Sequence, residues 1–523
     1  MVVGAGEAVV ADRTENVEIE TKLDADPAFE MPDLAAALPG GAVVDLKPLQ
    51  SLETIYYDTR DLRLARAGIA VRCRTGEGFL GKGTGRWTVK MAEAPSARRD
   101  GGGSPIVRRE IVVEAPTRSI PDDVAFVVRG TVRNALLAPV AVLRSERRRH
   151  VVQVDGRDVA EVDDDRVSVI DETRVAFEFR EIEVEQLDSD GEKIVKKLVS
   201  ALRKAGARKS DGTSKIGRAL GTDVVRGPEV VVPDVGRKAS IGEVAAAAIA
   251  DGVSRLLRRD PGLRLGGDDE HVHQARVATR RLRSDLRSFE GVLDAEVTAH
   301  LRGELGWLAG VLGANRDADV LMGRIGEHAM CLPATDARGV ATILKKLDAE
   351  RTAARAAMLE AIDTTRYLDL LDTLVQTARR PPLLADADRP AADALAHVVD
   401  KQWKKLAGAV KALDDEPPDD ALHAVRIRAK RARYAAEASI GVCGKRAHRL
   451  GKALAQVQGA LGDLNDAVVA EAWLRAANAK ATAAVALAAG QLIAIERDEQ
   501  RRARGSWRSA WDEAADARKR WRS

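Results

Sequence analysis

Charged residues recur at every second position in several short segments of the first part of the chain. The acidic sets lie in VEIETKL, with Glu18, Glu20 and Lys22, and in REIEVEQ, with Glu181, Glu183 and Glu185. The other sets are Arg72 and Arg74 in VRCRT, Thr88 and Lys90 in WTVK, and Arg108 and Glu110 in VRREI. Carboxylates bind hard divalent cations, whereas arginine and lysine bind phosphate oxygens. Both kinds of set in one cavity would suit a polyphosphate chain that carries a metal ion.

Side chains two residues apart on a β-strand point to the same face, so each set would share one face of its strand. A single charged face is explained most simply by exposure to water, which is common in antiparallel sheets. Five strands that each carry charges on one face favour instead a barrel whose charged faces line the interior.

The 523 residues are enough for two or more domains. Strand-like segments with period-2 alternation, such as HVVQVDG and RDVAEVDDD, fill residues 14–222 and predict an antiparallel barrel or sandwich. One helix is predicted over EKIVKKLVSALRKAG. We predict a disordered tail over residues 1–13, which lacks the features of a signal peptide, and a linker over 223–239, which contains two prolines.

The ordered motifs of residues 14–222 resemble the CYTH domains, or triphosphate tunnel metalloenzymes. VEIETK matches the opening E-x-E-x-K of this family, IYYDTRDLRLARAGIAVRCRT resembles its tyrosine, Asp-Thr and R-x-R segment, and WTVK resembles its T-x-K strand. RRE, SERRRH, VDDD, EIEVE and TSKIGRAL follow in the order of the family. One departure is Ser145, where some relatives carry a base.

The CYTH resemblance implies an eight-stranded antiparallel tunnel that hydrolyses a triphosphate with a divalent metal ion, Mg²⁺ or Mn²⁺. It implies that Glu18, Glu20, Glu183 and Glu185 bind the metal ion. It implies that the same four residues, together with Lys22, take part in catalysis. It implies phosphate binding by Lys22, Arg72, Arg74, Lys90, Arg147 and Lys215. A further metal-ligating acid falls at Asp164 or Asp165, and the sequence does not distinguish between them.

From about residue 240 the apolar spacing becomes helical, and this half contains an internal repeat. HQARVATRRLR (273–283) recurs as HAVRIRAKRAR (423–433), and the copies are followed at similar distances by LGANRDADV and LGDLNDAVV. Two signals that repeat in the same order predict a duplicated all-α half, made of two packed bundles.

Each copy of the repeat places a histidine and several bases along one side of a helix. These residues are His273, Arg276, Arg280, Arg283 and Arg287 in the first copy, and His423, Arg426, Lys430 and Arg433 in the second. A solvated basic face would explain one copy, but the same spacing twice favours a binding surface. Because few aromatic residues interleave with these bases, the surface suits a flexible polyanion better than nucleobases, although contacts to a nucleic-acid backbone remain open.

HQARVATRRLRSDLRSF and HAVRIRAKRARYAAE resemble the two signature helices of the CHAD domain, over about residues 240–516. The resemblance implies an all-α domain that binds inorganic polyphosphate. Asn465 stands in the second following motif, interpreted as a loop, where Arg316 stands in the first. The two halves therefore need not bind equally.

We predict an α+β multidomain protein that hydrolyses inorganic triphosphate or polyphosphate in its barrel and binds polyphosphate through its helical half. The alternatives are a non-catalytic polyphosphate-binding or targeting protein, and a triphosphatase for thiamine triphosphate or a nucleotide. We expect no sequence-specific nucleic-acid partner and no membrane span, since no apolar stretch of roughly 18 residues occurs. Three dispersed cysteines predict reduced packing residues in a cytoplasmic protein, either free or associated with polyphosphate granules. The sequence does not indicate an oligomeric state.

Overall fold

The structure is a computed structural model, and it describes residues 13–78, 81, 83–92, 106–189, 191–221, 227–266, 268–478 and 481–522. The predicted tail over residues 1–13 lies outside the described residues except for Arg13, and so does part of the predicted linker, residues 223–226. The chain divides into two compact units, Met1–Glu229 and Val230–Ser523. We refer to them as the barrel unit and the helical unit.

The barrel unit contains ten described strands and four described helices. The strands are β1 (Thr14–Ala25), β2 (Ala42–Leu46), β3 (Gln50–Asp58), β4 (Ile69–Thr75), β5 (Thr84–Ala92), β6 (Ile106–Pro116), β7 (Ala138–Val154), β8 (Arg157–Asp171), β9 (Arg174–Gln186) and β10 (Arg208–Lys209). The helices are α1 (Arg63–Arg66), α2 (Asp122–Val132), α3 (Gly191–Lys204) and α4 (Lys215–Leu220).

Eight of these strands close into an antiparallel barrel, as predicted. Their order around the ring is β1, β6, β5, β4, β3, β7, β8 and β9, and β9 pairs with β1 again. β2 pairs with β7 and β10 pairs with β1 outside this ring. HVVQVDG and RDVAEVDDD prove to be parts of strands much longer than the segments suggested, since β7 has 17 residues and β8 has 15.

The packing of α3 determines which face of the barrel wall points inward. Leu23 of β1 and Ile182 and Val184 of β9 are buried in one cluster with Leu198 and Leu202 of α3. Because successive strand residues alternate between faces, the neighbours of Leu23 and Ile182 point to the interior. A register slip of one residue would expose this apolar face, so the amphipathic helix fixes the register. The helix predicted over EKIVKKLVSALRKAG is confirmed as α3.

The helix α4 fills one end of the barrel. Its residue Ile216 packs in a buried cluster with Tyr56, Leu143, Val167 and Val169. Tyr56 pairs directly with Arg72 in the register of β3 and β4, so the two side chains share the interior face. The barrel interior is therefore apolar and closed at this end.

The single-helix prediction for this unit was incomplete, because α1, α2 and α4 were missed, of which α2 is the longest. Its sequence is rich in valine, a residue typical of strands, and this masked the helical period. Pro121 immediately before it, with Asp122 and Asp123 in its first turn, is a helix start signal that could have identified it.

The helical unit contains ten described helices. They are α5 (Ile241–Leu265), α6 (Asp269–Ser288), α7 (Ala295–Ala329), α8 (Ala337–Ile362), α9 (Thr365–Arg379), α10 (Ala391–Lys411), α11 (Asp419–Ala438), α12 (Ile440–Cys443), α13 (Lys445–Asn478) and α14 (Ala483–Arg522). The all-helical prediction is confirmed, and none of the described helices is long and apolar enough to cross a membrane.

The internal repeat is visible in the packing of the helical unit. The pairing of α6 with α7 recurs as the pairing of α11 with α13, and each pair belongs to its own buried apolar cluster. The second cluster contains Trp507 and Trp521, while Trp511 stacks on Trp403 with ring centroids 5.1 Å apart, so these late tryptophans pack helices. Of the three cysteines, Cys331 is exposed and is not the packing residue predicted.

The two motifs LGANRDADV and LGDLNDAVV do not form loops. They lie inside α7 and α13, far from the ends of these helices. A glycine inside a helix weakens it, which is why the motifs suggested breaks in the sequence. The glycines are explained instead by the arginines that lie against them, as described below.

Candidate active site and candidate polyanion-binding surface

A cavity of about 640 Å³ occupies the barrel at the end opposite α4. It is lined by eight of the residues predicted to bind metal or phosphate: Glu18, Glu20, Arg72, Arg74, Lys90, Arg147, Glu183 and Glu185. The charged faces of the strands therefore point inward, and acids and bases share one enclosed space.

Lys22 and Lys215 lie deeper in the barrel and share the same acids. The ammonium Nζ of Lys215 lies 3.0 Å from Glu181 Oε1 and 2.9 Å from Glu183 Oε1. Lys22 Nζ lies 3.3 Å from Glu181 Oε1 and also binds Glu183. Burial alone would lower the pKa of Lys22, but Glu183 and Glu181 raise this pKa above its ordinary value. Both lysines therefore carry positive charge at the closed end of the cavity.

Asp165 anchors two of the predicted phosphate-binding residues. Its carboxylate accepts hydrogen bonds of 2.7 and 2.6 Å from Arg147, and Lys215 Nζ lies 2.9 Å from its Oδ2. Burial would raise the pKa of Asp165, but the charges of Arg147 and Lys215 hold it below its ordinary value. Arg147 and Lys215 are thereby fixed in position before any ligand arrives.

Asp164 points to the opposite face of β8. Its carboxylate binds Arg180 at 2.8 and 2.7 Å, on the face that also carries Val162 and the cover of α3. The alternation of strand residues makes it geometrically impossible for Asp164 and Asp165 to face the same side. Of the two candidate acids, Asp165 is the one that faces the barrel interior.

Nearer the mouth of the cavity, each cation is again held by an acid. Lys90 Nζ lies 2.9 and 2.6 Å from the two carboxylate oxygens of Glu18. Arg72 Nη2 lies 3.5 Å from Glu110 Oε1, and Arg108 Nη1 lies 3.3 Å from Glu20 Oε1. The cavity wall is a network of ion pairs in which anionic ligands and cations would compete for partners.

Several further residues that line the cavity were not predicted, among them Arg149, Glu161 and Asp163. Arg149 Nε lies 3.0 Å from Asp163 Oδ1 and 2.9 Å from Glu161 Oε1. Arg149 lies two positions from Arg147 on β7. Asp163 and Glu161 lie two and four positions from Asp165 on β8. Extending the period-2 rule along β7 and β8 would have found them.

In the helical unit, the bases that the two copies of the repeat place along α6 and α11 form two stripes, and these two basic stripes lie close together. The helices α6 and α11 contact each other, and Arg281 Nη1 of α6 lies 3.1 Å from Glu437 Oε2 of α11. Four arginines lie close enough to Lys430 to affect its charge: Arg280, Arg426, Arg276 and Arg433. Burial and these four charges lower the pKa of Lys430 to about 7. We call this group, together with Arg283, the basic surface.

The glycine motifs of α7 and α13 make room for the arginines of the basic surface. A Cβ atom on Gly313 would lie 3.9 Å from Arg276 Nε, and one on Gly462 would lie 3.7 Å from Arg426 Nε. Asp317, four residues after Gly313, lies 3.0 Å from Arg276 Nη1. The motifs therefore provide flat helix surfaces on which these guanidinium groups lie.

The two copies differ where Arg316 is replaced by Asn465. His423 Nδ1 lies 2.7 Å from Asn465 Oδ1. In the first copy, burial and the positive charge of Arg316 lower the pKa of His273. The environments of the two histidines are therefore unequal, and unequal binding by the two copies stays a prediction.

Two protein-family models match the chain in succession. The CYTH domain model matches residues 16–216, and the CHAD domain model matches residues 247–475. The chain is a CYTH domain followed by a CHAD domain. Both resemblances identified from the motifs are thereby confirmed, with the CYTH match in the barrel unit and the CHAD match in the helical unit.

Related proteins match different shares of this chain. The uncharacterized proteins MT2285 and Rv2226 of Mycobacterium tuberculosis are each 29% identical to it over 493 residues, which cover 88% of this chain and 88% of the relative. PptA from Streptomyces chartreusis is 26% identical, covering 52% of this chain and 100% of its own, with a TM-score of 0.45. The CHAD domain from the plant Ricinus communis is 29% identical, covering 53% and 96%, with a TM-score of 0.41.

CYTH domains are generally metal-dependent, and the donor types in the cavity fit a hard divalent cation. Glu185 forms no ion pair within the described residues, and burial together with Glu18 and Glu161 raises its pKa to about 8. The buried oxygen Oε1 of Glu20 accepts no hydrogen bond, although Arg108 Nη1 lies 3.3 Å from it. A cation would relieve this excess of carboxylate oxygens. Across the part of the chain that the structure describes, however, no three acidic, histidine or cysteine side chains converge enough to enclose a metal ion.

Proposed function

We propose that the CYTH domain hydrolyses inorganic triphosphate or polyphosphate and that the CHAD domain binds polyphosphate. The observation that carries the first part is the barrel cavity, which Arg72, Arg74 and Lys90 line together with Glu18 and Glu185. Cations alone would suit any polyanion. Acids placed among them favour an anion that arrives with a divalent cation.

The residues of the cavity would act mainly by binding and orientation. Arg72, Arg74, Lys90 and Arg147 would contact phosphate oxygens, and the fixed charges of Lys22 and Lys215 would attract the end of the chain to the closed end. Such pre-organised cations stabilise the charge that develops as water attacks a terminal phosphorus and the bridging P–O bond breaks.

The carboxylates of Glu18, Glu20, Glu183 and Glu185 would hold the metal ion, which we propose to be Mg²⁺ or Mn²⁺. When bound, it would supply Lewis-acid polarisation of the phosphoryl oxygens. Glu18 pairs with Lys90, and Glu183 pairs with Lys22 and Lys215. Phosphate oxygens that take over these cations would free the carboxylates for the metal.

For the CHAD domain, the supporting observation is the charge balance of the basic surface. Six cationic side chains from α6 and α11 form this surface, and two acids pair with them, Asp317 with Arg276 and Glu437 with Arg433. Like charges this close repel one another, so their accumulation is unfavourable without an anionic ligand. A polyphosphate chain supplies negative charge at every phosphate and requires no planar platform.

A second candidate function is binding without hydrolysis in the CYTH cavity. It is favoured by one observation, that the described acids do not converge on a metal position while Glu18 already binds Lys90. Hydrolysis remains the better supported proposal, because the cavity contains more carboxylates than anion binding alone requires.

Phosphate release distinguishes these candidates. The full chain should be assayed with triphosphate, longer polyphosphates, ATP and thiamine triphosphate, each with Mg²⁺, Mn²⁺ or EDTA. We expect turnover of triphosphate or polyphosphate with a divalent metal and none in EDTA. Tight binding of triphosphate without turnover under all these conditions would establish the second candidate. Preferred turnover of ATP or thiamine triphosphate would reassign the substrate.

A further inference from the structure

Lys430 is a buried cation without a counterion. Its exposed fraction is 8%, and it forms no hydrogen bond or ion pair among the residues that the structure describes. The buried Nε atoms of Arg426 and Arg433, on either side of it along α11, form no hydrogen bond, although Arg433 Nε lies 3.4 Å from Glu437 Oε1. An unpaired charge in such a position is costly, and a lysine can avoid the cost by releasing its proton.

The internal repeat shows that this position differs between the two copies. Lys430 occupies the place in HAVRIRAKRAR that Arg280 occupies in HQARVATRRLR. Arginine remains charged at any physiological pH, whereas lysine readily changes its protonation state when it is buried. The basic surface therefore has a permanent charge in one copy and a titratable amine at the equivalent place in the other.

We propose that Lys430 couples polyanion binding to proton uptake, so that the affinity of the basic surface rises as the pH falls from about 8 to about 6. The proposal rests on the function proposed above for the CHAD domain and adds its regulation. In the free protein the surrounding arginines disfavour the ammonium form. A bound polyanion neutralises those arginines and favours the ammonium, which then contributes one further ionic contact.

The groups that face Lys430 support this coupling. From α6 they are Arg276 and Arg280, and from α11 they are Arg426 and Arg433. The acid Asp317 of α7 pairs with Arg276 rather than with Lys430. Two further acids act on these arginines rather than on Lys430: Glu437 Oε1 lies 3.4 Å from Arg433 Nε, and Asp463 of α13 interacts with Arg426. With the free-protein pKa of Lys430 near 7, about half of the molecules would be neutral at neutral pH.

The proton uptake can be measured by isothermal titration calorimetry of the full chain in buffers of different ionisation enthalpy at pH 7.5. Dextran sulfate is the probe, because its sulfates do not titrate near neutral pH and any proton taken up must bind the protein. We expect uptake of about half a proton or more per binding event, and affinity about tenfold weaker at pH 8 than at pH 6.

Three variants test whether Lys430 is the source of the proton uptake. Lys430→Arg should bind with almost no proton uptake and with affinity that varies less than about twofold over the same pH range. Arg280→Lys should increase the uptake. In the double variant His273→Gln, His423→Gln, any proton taken up by the histidines is removed, and the uptake that remains should be lost when Lys430→Arg is added.

Equal proton uptake by the wild type and Lys430→Arg would overturn the proposal. Binding of both proteins without any uptake would also overturn it, while leaving the proposed polyanion-binding function intact. If the wild type bound neither dextran sulfate nor long-chain polyphosphate at any of these pH values, the binding function itself would be wrong.

Discussion

Arg147 donates one hydrogen bond to each carboxylate oxygen of Asp165, of 2.7 and 2.6 Å, while the adjacent Asp164 binds Arg180 on the opposite face of the same strand. Neighbouring acids in VDDD thus hold arginines on the two sides of the barrel wall. Arg147 faces the cavity, and Arg180 lies on the outer face of the barrel wall, which α3 covers.

The variants Asp165→Asn and Asp164→Asn should therefore have different effects. Each breaks a buried ion pair and should destabilise the barrel by about 3–5 kcal/mol. Only Asp165→Asn should lower turnover per folded molecule, because it releases Arg147 and Lys215. Urea denaturation and phosphate release measure the two effects separately. Equal loss of turnover in folded Asp164→Asn would contradict this assignment.

Glu20→Gln should remove most phosphate release without unfolding the barrel, because a neutral amide is a poor ligand for a hard cation. The matched control is Glu53→Gln, whose carboxylate pairs with the exposed Arg144 outside the cavity. The control should retain wild-type kcat and KM. Activity of Glu20→Gln within about twofold of the wild type would exclude this carboxylate from the metal site.

Gly462→Leu should weaken polyphosphate binding, since a leucine side chain would displace Arg426 from the surface of α13. An alanine should be tolerated, because its Cβ would lie at an ordinary contact distance of 3.7 Å. Gly459→Leu is the control in the same helix, where a Cβ meets nothing within 4 Å. Retention on immobilised polyphosphate compares the three variants. Equal retention of both leucine variants would show that the glycine does not position Arg426.

Replacing the six cations of the basic surface should nearly abolish polyphosphate retention and flatten its salt dependence, because fewer counterions are released on binding. These cations are Arg276, Arg280, Arg283, Arg426, Lys430 and Arg433. Hydrolysis of short triphosphate should remain almost intact. If triphosphate turnover collapsed in the folded variant, the helical unit would contribute to the active site.

The stability of the helical unit should fall between pH 5 and pH 8 because of Asp285. Burial, only partly offset by Arg281, raises the pKa of this carboxyl to about 7 in the folded protein. A pKa raised by folding contributes stability that is complete below the unfolded pKa and is lost as the pH rises through the folded value. Between pH 5 and pH 8 the loss should be about 2–3 kcal/mol.

Urea unfolding monitored by tryptophan fluorescence tests this expectation, since most tryptophans lie in the helical unit. Asp285→Asn should flatten the dependence on pH, whereas the exposed Asp348→Asn should leave it unchanged. A wild-type profile that rises from pH 5 to pH 8 would be inconsistent with a buried, protonated Asp285.

The local patterns were sufficient to predict the charged interior of the barrel. Glu18, Glu20 and Lys22 alternate with residues that must face a hydrophobic cover, so their inward direction follows from the period of a strand. The choice between Asp164 and Asp165 could not be made from the sequence. It depends on the register of β8 against its neighbours and on the position of α3, both of which involve residues distant along the chain.

In the helical unit, the two stripes were predicted but their convergence was not. Helical spacing shows that Arg280 and Arg276 share a side of α6, but it does not show that Lys430 of α11 lies beside them. The glycines of the following motifs were misinterpreted as loop residues. Their role depends on the long arginine side chains of another helix, and local propensity carries no information about such contacts.

Ile216 and its apolar neighbours fill one end of the barrel, so the cavity, as the described residues form it, opens only at the other end. Under the proposed function, a long polymer could not thread through such a chamber, and only a terminus could reach Lys22 and Lys215. Degradation would then proceed stepwise from the tips of the polymer rather than by cuts in its middle. The number of free termini, and not the mass of polymer, would set the rate at which a store of polyphosphate is consumed.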